Sequence, residues 1–193
     1  MSAVNIYNIF VHAIFEDVEK YIDEHNGEAH DYSDVVNQFT FNVANEVVCG
    51  KRFKLSDPTY QQIRKYLSNI FITFFQHCYL HLSGTLFKYY LRFTSNAEQT
   101  LRNDFDKLKQ HANKLIAERK QQLSNESYIC KFFVDLWIKE CKNPDNKHLP
   151  SDNLAGNIVE IWVGNETVSG VMYNGIKLMA LYPKVQNSVY NEI

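Results

Sequence analysis

The chain has 193 residues, a formal net charge of −2 and 45% hydrophobic residues. This length suits one domain or most of one, with enough apolar side chains for a sizeable core, and the charge excludes the basic footprint of a nucleic-acid-binding protein. The four cysteines, Cys49, Cys78, Cys130 and Cys141, form no CxxC or metal-ligand spacing, which indicates reduced thiols rather than a disulfide framework.

The beginning of the chain does not resemble a signal peptide. Residues 1–15 contain apolar side chains but no basic region and no small-residue cleavage site, and Glu16 and Asp17 follow at once. A later stretch, residues 67–87, contains no Asp, Glu, Lys or Arg and is long enough to span a bilayer. Its several polar side chains instead favour a buried helix followed by a loop that touches a membrane surface, so we expect no clear anchor.

Helical periodicity runs through the first half of the chain. The spacing of apolar residues predicts helices over 9–25 and 32–49, with Ser33 or Asp34 as the N-cap and Gly50 as the C-cap of the second. Asp57-Pro58 starts a third helix, since proline is favoured at the first helical position. Its apolar stripe comprises Ile63, Tyr66, Leu67, Ile70, Phe71, Phe74 and Phe75. A looser segment follows over 81–95.

The second half is also helical, and no strand pattern appears, so the sequence predicts an all-α fold. A long charged helix over 96–123 carries an inward stripe of Leu101, Phe105, Leu108, Ala112, Leu115 and Ile116. A helix over 126–141 is expected to turn Ile129, Phe132, Phe133, Leu136 and Trp137 inward, and a polar linker covers 142–150.

The last long helix is the most informative segment of the sequence. It runs from a cap at Ser151 or Asp152 to Tyr182, because Pro183 cannot continue a helix and opens a final one. Its nearly uncharged pattern is interrupted by Gly164, Glu166 and Thr167. Glycine in a helix interior costs about 1 kcal/mol against alanine, and an unpaired buried carboxylate costs more, so this group indicates a functional or strained site.

The interrupted segment has two interpretations. Gly164, Thr167, Val168 and Val171 share one helix face, whereas Glu166 points elsewhere. A flat ligand lying over Gly164, with a hydroxyl and an acid beside it, would receive protons from this arrangement. The alternative is a helix–helix crossing at Gly164, in which neighbouring residues satisfy Thr167 and Glu166.

These residues resemble a known family signature. Val163-Gly164-Asn165-Glu166-Thr167-Val168 resembles the central-helix motif of the cytochrome P-450 superfamily of haem-thiolate monooxygenases. The segments 178–186, with Tyr-Pro-Lys-Val-Gln, and 50–53, with Gly-Lys-Arg-Phe, resemble later and earlier family segments in the same order. The resemblance runs, with gaps, over nearly the whole chain, and is closest to the microsomal drug- and steroid-type branch. It implies that residues 1–193 are a single partial domain, the central helical part of that fold.

The resemblance also implies roles for individual residues. Val163 and Gly164 would lie over the haem, Thr167 would be the oxygen-activating hydroxyl, and Glu166 its acidic partner. Phe71, Phe74 and Val171 would line a pocket for a lipophilic substrate. The implied parent protein uses haem and O2, receives electrons from an NADPH-dependent flavoprotein reductase, and lies on the cytosolic face of the endoplasmic reticulum membrane.

Several positions depart from the family pattern. Val163 stands where Ala or Gly is usual, and Val168 replaces a second hydroxyl. None of the four cysteines has the context of the family's axial ligand, so no metal ligand is assigned and we predict that the isolated chain is inactive. A non-enzymatic helical interaction protein and an incomplete gene product are the alternatives. His77 and His81 are interpreted as structural or pocket-lining histidines rather than metal ligands.

Overall fold

A computed structural model describes residues 3–25, 28, 30–81, 85, 89, 96–124, 129–143, 146 and 150–192. Within these ranges the chain forms helices and no strand, which confirms the all-α prediction. The α-helices are α1 (Ala3–Glu24), α2 (Ser33–Cys49), α3 (Pro58–His81), α4 (Ala97–Gln122), α5 (Phe133–Glu140), α6 (Leu154–Leu181) and α7 (Pro183–Glu192). A single 3-10 turn, Ser151–Asn153, leads into α6.

Glycine and proline set the helix boundaries where the sequence predicted them. Gly50 ends α2 with φ 66°, and its N–H donates to the Glu46 carbonyl at 2.8 Å. Pro58 is the first residue of α3, and the Asp57 carboxylate accepts the Thr59 N–H at 2.7 Å. Pro183 separates α6 from α7. These three boundaries are confirmed because each depends on a backbone property of its own residue.

The predicted N-caps were wrong. Tyr32 precedes α2 and Asn153 precedes α6, and neither makes a side-chain capping hydrogen bond. The first helix also begins at Ala3, well before the predicted start at residue 9, so that boundary was wrong.

The short helix α5 departs most from its prediction. It begins at Phe133 rather than near residue 126, because Phe132 is extended and the Asp135 carboxylate accepts the backbone N–H groups of Lys131 and Phe132. This start fixes a different buried face. Val134 and Ile138 are buried, whereas Ile129 is 73% and Leu136 is 51% exposed.

The core lies between α2, α3, α4 and α6. The apolar stripe of α4 is confirmed, with Leu108, Ala112, Leu115 and Ile116 buried and Leu101 and Phe105 packed against them. On α3, the inner residues Ile63, Leu67 and Ile70 are buried. Trp162 of α6 is fully buried and its ring lies 5.7 Å, centroid to centroid, from Phe41 of α2. This contact holds the first half of α6 in the middle of the helical assembly.

A buried ion pair joins α4 to the start of α5. The Arg119 guanidinium donates to both carboxylate oxygens of Asp135 at 2.6–2.9 Å, and lies 4.6 Å from the centroid of the Phe132 ring. That ring also fills the space beside Gly50, where a Cβ atom would approach it to 2.4 Å. The ends of α2 and α4 and the start of α5 therefore meet at one junction.

The described residues contain no helix that is long and apolar enough to cross a membrane. Most of 82–95, including the predicted membrane-touching loop, and the side chains of His77, Cys78 and His81 lie outside the described residues. Across the described part, no group of three or more His, Cys, Asp or Glu side chains is placed to hold a metal ion.

Candidate functional site

Helix α6 has two different faces. Leu154, Ala155, Ile158, Val159, Trp162, Asn165 and Ser169 form a buried stripe. Gly164, Thr167, Val168 and Val171 lie on the opposite side, and Val168 and Val171 are 52% and 74% exposed. The shared face predicted from the helical period is therefore present, and we call these four residues the open face of α6.

Gly164 is not required for helix packing. A Cβ atom at this position would meet nothing within 4 Å among the described residues. Helix α2 crosses α6 on its opposite side, where it contacts Trp162 and Glu166, so the crossing does not use the Gly164 face. The glycine leaves backbone accessible that a side chain would otherwise cover.

Thr167 contacts the same open backbone. Its Oγ1 donates to the Gly164 carbonyl oxygen at 2.7 Å, one turn earlier, as the sequence predicted. The hydroxyl proton is used by this bond, so the exposed lone pairs of Oγ1 remain as acceptors toward the open face.

Glu166 lies on the other side of the helix. Its carboxylate oxygens accept from Asn37 Nδ2 of α2 at 3.3 and 3.2 Å. Burial raises the pKa of Glu166, and the Asn37 hydrogen bond and the Arg64 charge offset part of that rise. The structure thus separates Glu166 from Thr167: one carboxyl is half-buried against α2 and one hydroxyl is exposed on the open face.

Sequence reasoning missed Asn37 as the partner of Glu166. The two residues are 129 positions apart, and no local pattern joins them. One signal was present: Asn37, Thr40 and Asn45 place polar groups on the buried side of α2, three to five residues apart. Buried polar groups are nearly always hydrogen-bonded, so this row indicated partners on a neighbouring helix.

The other predicted site residues are not gathered around Gly164. Val163 is half-buried on the flank of α6 and packs against the core, so it does not share the open face with Gly164. Phe71 and Phe74 lie on α3. The Phe75 ring lies 5.9 Å from the Phe71 ring and 5.7 Å from the Phe74 ring, centroid to centroid. Phe74 is 49% exposed, which leaves much of its ring accessible.

The described residues fit one part of a haem site. A flat macrocycle needs open backbone flanked by apolar side chains, and Gly164 with Val168 and Val171 provides both. Cys49 does not fit the axial ligand. Cys49 is buried at the end of α2, and burial raises the pKa of its thiol to about 12, so it stays protonated at neutral pH. Cys130 and Cys141 flank the short helix α5.

Comparison with known proteins identifies the family of the chain. The family model described as Cytochrome P450 matches residues 3–193. Human Cytochrome P450 2J2 is 25% identical over 177 residues, which are 89% of this chain and 34% of that protein. Rabbit (Oryctolagus cuniculus) Cytochrome P450 2J1 is 24% identical with the same coverage, and Cytochrome P450 2K4 of Oncorhynchus mykiss is 25% identical over 186 residues. The chain spans about a third of the length of these relatives. Because the family model covers nearly all of its residues, the chain belongs to the cytochrome P450 family.

Proposed function

We propose that the chain is the central helical part of a haem-dependent monooxygenase that hydroxylates a lipophilic small molecule with O2. Its electrons come from an NADPH-dependent flavoprotein reductase at the cytosolic face of the endoplasmic reticulum membrane. The observation that carries the proposal is the open face of α6, where nothing in the described residues covers Gly164 and the Thr167 hydroxyl lies beside it. Family membership supports the reaction class.

Each residue of the site has one task in this proposal. When bound, haem supplies the oxygen chemistry. Gly164 lets the flat group approach the backbone, and Val163 anchors this turn of α6 to the core from its flank. Thr167 accepts a hydrogen bond from water on the open face. Burial raises the pKa of Glu166, which favours its protonated form, so this carboxyl is the proton donor of the site.

Substrate contacts come from a second set of side chains. Phe71 and Phe74 of α3 and Val171 of α6 offer apolar surface, and Phe74 and Val171 are 49% and 74% exposed. Aromatic and aliphatic surface of this kind selects apolar ligands, with few polar groups to fix their orientation.

The 193 residues by themselves do not activate oxygen in this proposal. An axial cysteine must bind iron as a thiolate, and the protonated, buried Cys49 does not supply one. We therefore expect that the isolated chain, mixed with haem and carbon monoxide under reducing conditions, does not give the absorption band of a haem–thiolate protein.

The test is a substitution at Thr167 in the complete protein, reconstituted with its reductase and haem. For Thr167→Ala, we expect product formation per NADPH consumed to fall by roughly 100-fold, in the range of general acid–base effects. Thr167→Ser restores the hydroxyl and most of the coupling. Ser188→Ala on α7 is the matched control, because Ser188 makes the same kind of bond to a carbonyl one turn earlier. Unchanged coupling in Thr167→Ala would overturn the role of Thr167.

A helical interaction protein remains the second candidate, and one observation favours it. Apolar side chains continue along α6 past Ser169 and along α7 without being buried, among them Leu181, Val185 and Tyr190 at 65%, 51% and 81% exposed. A reconstituted protein that binds no haem but retains its helical structure would support this candidate over the enzyme.

A further inference from the structure

A small polar network lies between α2, α3 and α6, behind the open face. Its members are Asn37 of α2, Tyr60 of α3, and Glu166 and Ser169 of α6. Asn37 is 8%, Tyr60 0% and Ser169 6% exposed, so the network is almost closed to solvent. It joins three helices around one carboxylate.

In this network each side chain donates to the next, from Tyr60 through Asn37 to α6. The Tyr60 hydroxyl donates to Asn37 Oδ1 at 3.3 Å. Asn37 Nδ2 donates to both Glu166 oxygens at 3.3 and 3.2 Å and to Ser169 Oγ at 3.1 Å. Ser169 Oγ in turn donates to the Glu166 backbone carbonyl at 2.9 Å. The side chain of Asn37 is fixed in this orientation because a rotated amide would present its oxygen to the carboxylate.

We propose that Asn37 is a positioning residue that holds the Glu166 carboxylate against α2 and closes that side of α6 to proton exchange. The amide nitrogen that faces Glu166 has no lone pair to accept a proton, and the Asn37 oxygen contacts Tyr60 rather than Glu166. Asn37 therefore offers Glu166 no proton relay on the α2 side. The catalytic consequence rests on the proposed function, whereas the positioning rests on the contacts alone.

Charged groups act on this carboxyl without passing protons to it. Arg64 of α3 pairs with Asp34 of α2 at 2.5 Å, with side-chain exposures of 25% and 60%. The Arg64 charge lowers the pKa of Glu166, against the larger opposite effect of burial. Burial raises the pKa of Tyr60 to about 12, so its hydroxyl stays protonated. The ion pair at the rim thus influences Glu166 through space, and Asn37 interrupts the bonded route.

The experiment is a carboxyl titration of Glu166 in the 193-residue chain by infrared spectroscopy, with Glu166→Gln to assign the band. In Asn37→Ala the Glu166 carboxylate loses its hydrogen-bond donor, which disfavours the charged form. We therefore expect the pKa of Glu166 to rise, with a fall of about tenfold in its acid dissociation constant. In Asn37→Asp the introduced carboxylate shares a proton with Glu166, so the titration becomes biphasic. Wild-type titration in both variants would overturn the proposal.

Asn45→Ala is the matched control. Asn45 is also a buried amide of α2 that bonds α6, accepting from Trp162 Nε1 at 3.0 Å and donating to the Lys51 carbonyl at 2.6 Å. It does not touch Glu166, so we expect a loss of stability with no change in the Glu166 titration. An equal change in Asn45→Ala and Asn37→Ala would mean that general loosening of the interface is responsible, and would overturn the proposal.

Two milder variants cover the case in which Asn37→Ala does not fold. Tyr60→Phe and Ser169→Ala each remove one anchor of the Asn37 amide and leave the amide itself in place. We expect a smaller change in the same direction as Asn37→Ala, and no change in either would overturn the positioning role. None of these titrations needs haem, so their failure leaves the Thr167 test unaffected and is distinguishable from failure of the proposed function.

Discussion

Glu166 destabilises the fold when it is charged, because its carboxyl is half-buried. Because burial raises its pKa in the folded state, the folded state binds a proton more tightly than the unfolded state does. The contribution of Glu166 to stability is therefore fully present below the ordinary pKa, and is lost as pH rises through the raised folded-state pKa. Glu166→Gln removes this dependence.

We expect Glu166→Gln to raise the free energy of unfolding at pH 8 by roughly 0.5 to 1 kcal/mol over wild type, because the glutamine still accepts from Asn37 without a buried charge. The difference shrinks toward pH 4. Urea unfolding at several pH values measures it, and Glu160→Gln, which changes an exposed carboxyl of the same helix, is the control. A difference independent of pH would contradict the explanation.

Asp135 is a buried carboxyl with the opposite behaviour. Burial alone would raise its pKa, but hydrogen bonds from Arg119 and from the backbone N–H groups of Lys131 and Phe132 outweigh it and lower the pKa. The stabilisation is present above the ordinary pKa of an aspartate and is lost as pH falls through the lowered value.

We expect Asp135→Asn to cost about 3 to 5 kcal/mol at pH 7, because it leaves the buried Arg119 charge without a counter-ion. Urea unfolding gives the value. Arg102→Gln breaks an ion pair with Glu98 whose side chains are 70% and 66% exposed, so we expect a far smaller loss of stability. Similar losses in the two variants would contradict a special role for the buried pair.

At the scale of the element, two glycines with different surroundings, one that follows a helix and one inside a helix, predict opposite effects. Gly50 has φ 66° and the Phe132 ring where a Cβ would stand, so Gly50→Ala is expected to cost about 1 to 2 kcal/mol or more. Gly156 is helical with nothing within 4 Å, so Gly156→Ala is expected to stabilise by about 0.5 to 1 kcal/mol. Thermal unfolding of both variants measures the pair, and effects of the same sign would contradict this account.

The sequence predicted long elements better than short ones. Helix α4 spans 26 residues, so its apolar stripe repeats often enough to identify both the helix and its buried face. Helix α5 has eight residues, and its start is set by the Asp135 side chain. The apolar pattern therefore predicted Phe132 and Trp137 correctly but wrongly placed Ile129 and Leu136 inward. Gly164 and Thr167 were predictable because their relation lies within one helical turn. The Asn37–Glu166 contact was not, since it depends on how two distant helices pack.

At the scale of the molecule, burial is uneven along α6 and α7. Ile158, Val159 and Trp162 are at most 1% exposed, whereas no described residue of α6 after Ser169, and none of α7, is buried. In the part of α6 after Ser169, Tyr173 makes a hydrogen bond of 3.2 Å with Asp31.

We expect backbone amides of 155–169 to exchange with deuterium at least ~100-fold more slowly than those of 171–192 in the 193-residue chain, because only the first part requires core opening. Hydrogen-exchange mass spectrometry measures this difference, with the buried middle of α4 around Leu108 and Ala112 as the slow reference. Equal protection along the whole of α6 would show that contacts cover its second part in solution.

The polar contacts between α2 and α6 have a further consequence for the position of the open face. Asn37 meets Glu166 and Ser169, the Thr40 hydroxyl lies 3.2 Å from the Asn165 amide, and Asn45 meets Trp162. Apolar side chains tolerate a slip of two helices along each other, but these pairs do not, because a shift of one turn leaves every one of them buried without its partner. The contacts therefore fix the register of α6 against α2. They fix the height of Gly164 along the axis of α6, although none of them lies on its side of the helix.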